Sequence, residues 1–110
     1  EKGRWRGGRE AGCVVRASAT SGREAKWLEA NGADIIIAQG AEAGGHRGMF
    51  MTESIANQPG TFALVPQVVD AVRVPVVAAG GIADGRGIAA AFALMKRWAT
   101  SGRSLMNRPL

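Results

Sequence analysis

Three short apolar runs, spaced so that a helix fits between each pair, constrain this chain more tightly than any other feature. Asp34-Ile35-Ile36-Ile37-Ala38 and Val74-Pro75-Val76-Val77-Ala78-Ala79 are continuous rather than alternating, the pattern of strands buried on both faces of a parallel sheet. Cys13-Val14-Val15, continuing through Ala17 to Ala19, is rich enough in β-branched residues to read as a strand ahead of them. Between the runs the period changes. Ser21-Gly22-Arg23-Glu24 has the spacing of a capping box, in which each side chain takes the other residue's free backbone N–H. A helix carrying Ala25, Trp27 and Leu28 should follow it and stop at Asn31-Gly32. Phe62 to Val72 puts Val65, Val68, Val69 and Val72 on one helical face, with Pro66 expected in the first turn, where a missing N–H costs little. Gly80-Gly81 breaks the third strand, and Asp84 to Leu94 reads as a last helix capped by Asp84.

The order is therefore β-α-β-α-β-α with short connections, which parallel strands require and which nearly always cross over right-handedly. All-β and all-α folds are excluded. An open doubly wound sheet and a piece of a (β/α)8 barrel remain. A complete barrel takes about 250 residues, so three units are fewer than half of one, and the chain is expected to be part of something larger. Three parallel strands also leave two raw sheet edges, through which the chain is expected to self-associate.

Charge looks like a nucleic-acid signal until it is located. The net charge is +5, but residues 1–10 contribute +2, residues 95–110 contribute +4, and residues 11–94 are at −1. A phosphodiester-binding surface belongs in a basic stripe on the folded part, which here is near neutral, so no nucleic-acid partner is expected. The single cysteine, Cys13, excludes an internal disulfide and a multi-thiolate metal site. As a strand residue it is expected to be a small buried apolar side chain rather than a nucleophile. The longest apolar stretch, Val74 to Ala83, is far short of the roughly 18 residues of a membrane span, and no signal peptide is visible at Glu1 to Arg9. A soluble, cytoplasmic protein without a membrane partner is the expectation. The chain then divides into an irregular basic segment at 1–11, a β/α unit at 12–94 and an irregular basic tail at 95–110. Two readings of the ends stand side by side: solvated tails, or segments read in a different codon frame from the middle.

Chemistry is expected on two loops that directly follow strands. In the first, Gln39-Gly40-Ala41-Glu42-Ala43-Gly44-Gly45-His46-Arg47-Gly48, the only histidine of the chain follows two glycines that clear space for a planar ligand. An imidazole whose unperturbed pKa is about 6.5 suits proton transfer near neutrality. Gln39 offers both a donor and an acceptor, for a ligand or for the loop itself. Arg47 is read as either an anion partner or a solvent-facing side chain, and Glu42 as a loop ligand for backbone N–H groups. In the second loop, Gly80 and Gly81 precede a helix N-terminus, where free N–H groups and the helix dipole favour an anion such as phosphate. The alternative there is a tight turn that needs positive φ.

These residues carry a resemblance. Ala38-Gln39-Gly40-Ala41-Glu42-Ala43-Gly44-Gly45-His46-Arg47-Gly48, with Leu64-Val65-Pro66-Gln67-Val68-Val69 and Ala78-Ala79-Gly80-Gly81-Ile82-Ala83-Asp84, resembles the nitronate monooxygenase family, also called 2-nitropropane dioxygenases. The resemblance implies an α/β chain forming an incomplete TIM (β/α)8 barrel of about three consecutive parallel β/α units that binds FMN, with no metal. It implies His46 as the proton-abstracting base, Gln39, Gly44 and Gly45 beside the flavin, and Gly80 and Gly81 at its phosphate. The implied reaction is oxidation of alkyl nitronates by O2 to a carbonyl compound and nitrite. The family's further strand with a Q-x-G-T loop has no counterpart in residues 95–110, and the first strands with their flavin contacts are also missing. The fragment is therefore expected to bind little FMN and to be inactive by itself. The alternatives are a flavin-dependent enoyl-acyl-carrier-protein reductase fragment and a non-catalytic βα fragment.

Overall fold

The computed structural model describes residues 6–96. The elements in order are α1 (Arg6–Glu10), β1 (Arg16–Ala19), α2 (Gly22–Ala30), β2 (Ile35–Gln39), a 3-10 turn (Ile55–Asn57), α3 (Thr61–Ala71), β3 (Val76–Ala79) and α4 (Gly85–Leu94). The strands form one parallel sheet in the order β1-β2-β3, with Ala19 beside Ala38 and Ala38 beside Ala78. Because the spatial order follows the chain order, α2 and α3 lie on the same face. Ala19, Ile36 and Ala38 meet Ala25 and Leu28 of α2 and Leu64, Val65, Val68 and Val69 of α3 in one core. Burying Ile36 and Leu64 completely stabilises by about 1.5–3 kcal/mol each.

Five expectations change on contact with the structure. The strands are buried on one face only: in β2, Ile36 and Ala38 are buried while Ile35 and Ile37 are half-buried, and Val77 of β3 is 47% exposed. The helices cover one face of the sheet, and the alternate residues point from the other. Cys13 is exposed and lies before β1, which begins at Arg16 opposite Ile35. Its N–H is held by the carbonyl of Gly8 in the turn after α1, so Cys13, Val14 and Val15 form a connection rather than strand. Pro66 is the sixth residue of α3, not part of its first turn. The helix tolerates it where the lost donor would have served the carbonyl of Phe62, on the exposed side of α3.

The fourth change concerns the capping box. Ser21 caps α2 by accepting from the Glu24 N–H at 3.1 Å, as the spacing predicts. Glu24 does not reciprocate. Its carboxylate is fully buried, with one oxygen accepting from the N–H and hydroxyl of Thr20 (2.7 and 2.6 Å). The other oxygen accepts from the N–H groups of Phe50 and Met51 (2.5 and 2.9 Å). Two donors from neighbouring Thr20 and two from the distant Phe50-Met51 segment outcompete the single Ser21 N–H.

The remaining local signals act as read. Asn31 caps α2, and Gly32 continues with φ +99°, a conformation that side chains resist. Asp84 caps α4 by accepting from the N–H of Arg86 at 2.9 Å. The fifth change lies in the segment expected to be irregular, where α1 forms and Arg9 reaches the turn before β2, donating to Asp34 Oδ1 at 2.9 Å and to the Gly32 carbonyl. The rest of the two basic ends, residues 1–5 and 97–110, lies outside the described residues. Among the described residues, no helix is long and apolar enough to cross a membrane.

Candidate functional site

Parallel pairing places both loops at the same end of the sheet. Gln39 and Ala79, the last residues of β2 and β3, are register partners, and the N–H of Gly40 donates to the carbonyl of Ala79 at 2.9 Å. The two glycine-rich segments therefore start side by side at the carboxyl ends of their strands, where open parallel sheets hold ligands.

The first loop is built around Gln39. Its Nε2 donates to the His46 carbonyl at 2.8 Å, and its Oε1 accepts from the Gly48 N–H at 2.6 Å, so one amide closes the loop in both directions. Gln58 Nε2 in turn donates to the Gln39 carbonyl at 2.9 Å. Gly48 is needed because a Cβ there would sit 2.7 Å from the Cβ of Ser18. The stretch between the two anchors is open. Gly44, Gly45 and His46 are exposed, and a side chain added at Gly44 or Gly45 would meet nothing within 4 Å. Among the described residues, the His46 imidazole has no hydrogen-bond or ion-pair partner, so its backbone is fixed while its ring is available. Arg47 is half-buried, with Nη1 3.4 Å from the carbonyl of Gly40.

Glu42 is a loop ligand, as expected. Its Oε2 accepts from the N–H and the hydroxyl of Thr61, both at 2.9 Å, at the start of α3. The Thr61 N–H foremost, and the other hydrogen bonds after it, hold the Glu42 carboxyl below its ordinary value. Charge at this point also suits the N-terminus of α3, whose N-cap residue, Gly60, has no side chain to offer.

The second loop turns on Gly80 and Gly81, with φ of +129° and +68°. A Cβ at Gly80 would lie 2.6 Å from Thr61 Oγ1 and 2.9 Å from the Ala43 nitrogen, so this glycine also allows the two loops to touch. The Gly80 carbonyl accepts from the Thr61 hydroxyl at 3.0 Å. Among the described residues, the N–H groups of Gly81 and Ile82 have no acceptor. Both readings of this loop, tight turn and anion cradle, are thus compatible with one backbone.

The structure brings Gln39, Gly44, Gly45, His46, Gly80 and Gly81 to one rim, leaves Asp84 as the cap of α4 beside the second loop, and keeps Cys13 at the opposite end of the sheet. Sequence reasoning passed over Thr61 and Gln58, which hold the two loops. A threonine after a glycine at the head of an apolar helix was the available signal for the first. Among the described residues, no cluster of three or more His, Cys, Asp or Glu side chains suits a metal ion.

A parallel sheet covered by helices on one face, with two glycine-rich loops on its carboxyl rim, defines an α/β protein built of β/α units. The family model described as nitronate monooxygenase matches residues 6–97, and the chain belongs to the nitronate monooxygenase family. A nitronate monooxygenase of Paraburkholderia phytofirmans is 49% identical over 98 residues, covering 89% of this chain and 27% of the relative. A probable nitronate monooxygenase of Bacillus subtilis is 48% identical over 84 residues, 76% of this chain and 24% of the relative. Among solved structures, a nitroalkane oxidase from Streptomyces ansochromogenes superimposes with a TM-score of 0.71 at 48% identity, over 78% of this chain and 25% of its own. FabK from Thermotoga maritima does so with a TM-score of 0.69 at 46% identity, over 81% of this chain and 26% of its own. The chain thus spans about a quarter of the length of the curated relatives it matches.

Proposed function

We propose that residues 12–94 are part of a TIM barrel that binds FMN and oxidises alkyl nitronates, with His46 as the base toward neutral nitroalkanes. The segments 1–11 and 95–110 flank that unit, with Arg9 of the first docked on the turn before β2. The observation that carries the reading is the double hold of Gln39 on His46 and Gly48 at the strand end adjoining Gly80 and Gly81. One-sided helix cover also favours a barrel over a doubly wound sheet, since a barrel fills the second face with its own interior side chains. The small-molecule partners are a nitronate and O2, the site of action is the cytoplasm, and in this chain by itself the outer edges of β1 and β3, which a whole barrel would pair, are surfaces for self-association.

The residues present suit such a cofactor. Gly44 and Gly45 leave a side-chain-free surface for a flat ring, and the unpaired N–H groups of Gly81 and Ile82 suit a phosphate. Gln39 keeps one amide hydrogen and one lone pair beyond its two loop bonds, enough to meet a polar ring edge. FMN, when bound, would take up electrons from the nitronate and pass them to O2, leaving a carbonyl compound and nitrite. His46 removes the proton from the carbon bearing the nitro group, and its exposed ring can release that proton to water. A preformed nitronate has no such proton to lose.

The test grafts the matched residues of this chain into the Paraburkholderia phytofirmans relative and measures oxygen uptake. The graft should consume O2 with a nitronate, and His46→Ala should lower turnover of the neutral nitroalkane far more than that of the nitronate. Equal losses on both would remove His46 from the base role. The likeness to FabK favours a second reading, a flavin-dependent enoyl-acyl-carrier-protein reductase. Enoyl reduction driven by NAD(P)H, without oxygen uptake on nitronates, would select it. A graft with neither activity would leave a non-catalytic βα fragment.

A further inference from the structure

Thr61 is 5% exposed and makes no contact required by the proposed chemistry, yet it is the side chain on which both loops converge. Its hydroxyl lies 2.9 Å from Glu42 Oε2 and 3.0 Å from the Gly80 carbonyl oxygen. Space around it has been cleared on both sides. A Cβ on Gly40 would approach the Thr61 nitrogen to 2.6 Å, and one on Gly80 would approach the hydroxyl to 2.6 Å.

The carbonyl of Gly80 and the N–H of Gly81 belong to one peptide plane. In a trans peptide they point in opposite directions, and no cis peptide occurs among the described residues. Holding the carbonyl inward, against Thr61, therefore turns the Gly81 N–H outward. This plane needs an anchor because it joins two glycines at positive φ, the residue type that resists rotation least. A hydroxyl has a single hydrogen, shared here between a carboxylate and a carbonyl, so Glu42 and Gly80 are coupled through it.

We infer that Thr61 is a positioning residue for the anion cradle: its hydroxyl fixes the Gly80–Gly81 peptide so that the Gly81 amide faces a phosphate monoester, with the Ile82 amide next in the chain as the second donor. This rests on the proposed FMN reading for the identity of the anion, but the orientation of the peptide does not. Thr61→Val removes the hydroxyl at nearly constant shape, and Thr61→Ser restores it.

Two measurements on the full chain separate the parts. Residual dipolar couplings of the Gly81 N–H, without ligand, should agree between the wild type and Thr61→Ser and differ in Thr61→Val. Titration with inorganic phosphate should move the Gly81 and Ile82 amide resonances, with about tenfold more phosphate required in Thr61→Val, equivalent to loss of one charge-assisted hydrogen bond. Unchanged couplings in a folded Thr61→Val protein would overturn the positioning role. If phosphate moves neither amide in the wild type while the couplings respond as expected, the anion reading fails and Thr61 orients the peptide for another purpose. If Thr61→Val does not fold, the comparison moves to Thr61→Ala and Thr61→Ser, and a serine that fails to restore the wild-type couplings overturns the inference.

Discussion

Replacing Glu24 by glutamine changes one atom and should release the downstream end of the His46 loop. The carboxylate is fully buried and receives four hydrogen bonds, two on each oxygen. A glutamine amide has one acceptor oxygen, which would satisfy the Thr20 side, leaving its NH2 facing the N–H groups of Phe50 and Met51. Two donors lose their acceptor and meet another donor instead. An unsatisfied buried donor costs about 1–3 kcal/mol, and these two amides are only partly buried, so Glu24→Gln should destabilise by about 2–4 kcal/mol. That is a large share of the roughly 5–15 kcal/mol by which ordinary domains are stable. Denaturant unfolding followed by circular dichroism gives the loss, and amide hydrogen exchange locates it. Phe50 and Met51 should lose protection before the core of β2 does. A variant within about 0.5 kcal/mol of wild type, with Phe50 and Met51 still protected, would refute the clamp, since surface changes without such a role fall in that range.

Further outcomes follow from the same geometry. Burial works against the Glu24 charge, but the hydrogen bonds from Phe50, Thr20 and Met51 outweigh it and hold the carboxyl below its ordinary value of 4.5. A depressed folded-state pKa gives stability that is present above the unfolded value and lost as pH falls through the folded one. The denaturation midpoint should therefore fall as pH drops below about 4.5, and Glu24→Gln should flatten this dependence; an equally steep fall in the variant would assign it elsewhere. Asp84→Ala should speed exchange of the Arg86 and Gly87 amides, while Asp84→Asn should keep them protected, because the cap and not the exposed ion pair with Arg86 holds the first turn of α4. Equal exchange in both variants would contradict that. Cys13 is exposed, so a thiol reagent should modify the folded chain about as fast as the unfolded one; protection of more than about tenfold would return it to the interior.

The legible part of this protein is the part written in local chemistry. Ser21, Asn31-Gly32 and Asp84 mark helix ends by hydrogen bonds within three or four residues, and the apolar face of α3 follows from spacing alone. What was not legible depends on partners far along the chain. Glu24 looked like half of a capping box because Phe50 and Met51, 26 and 27 residues away, leave no mark beside it. The strand at Cys13 was over-extended because the start of β1 is set by pairing with Ile35, not by β-branched content. The open sheet face escaped notice because a continuous apolar run does not say which residues the helices cover. At the rim, His46 and the glycines stood out as motifs, whereas Thr61 did not, since its importance lies in which two loops it meets.

The central claim is that two neighbouring loops form one site for a flavin mononucleotide, and titration of the chain, grafted into the Paraburkholderia phytofirmans relative, with FMN and with riboflavin, followed at the backbone amides, tests it most directly. With FMN, Gly44 and Gly45 in one loop and Gly81 and Ile82 in the other should shift along a single binding curve. Riboflavin, which lacks the phosphate, should shift only the first pair. Equal responses of Gly81 to both ligands, or movement of one loop without the other under FMN, would contradict the account.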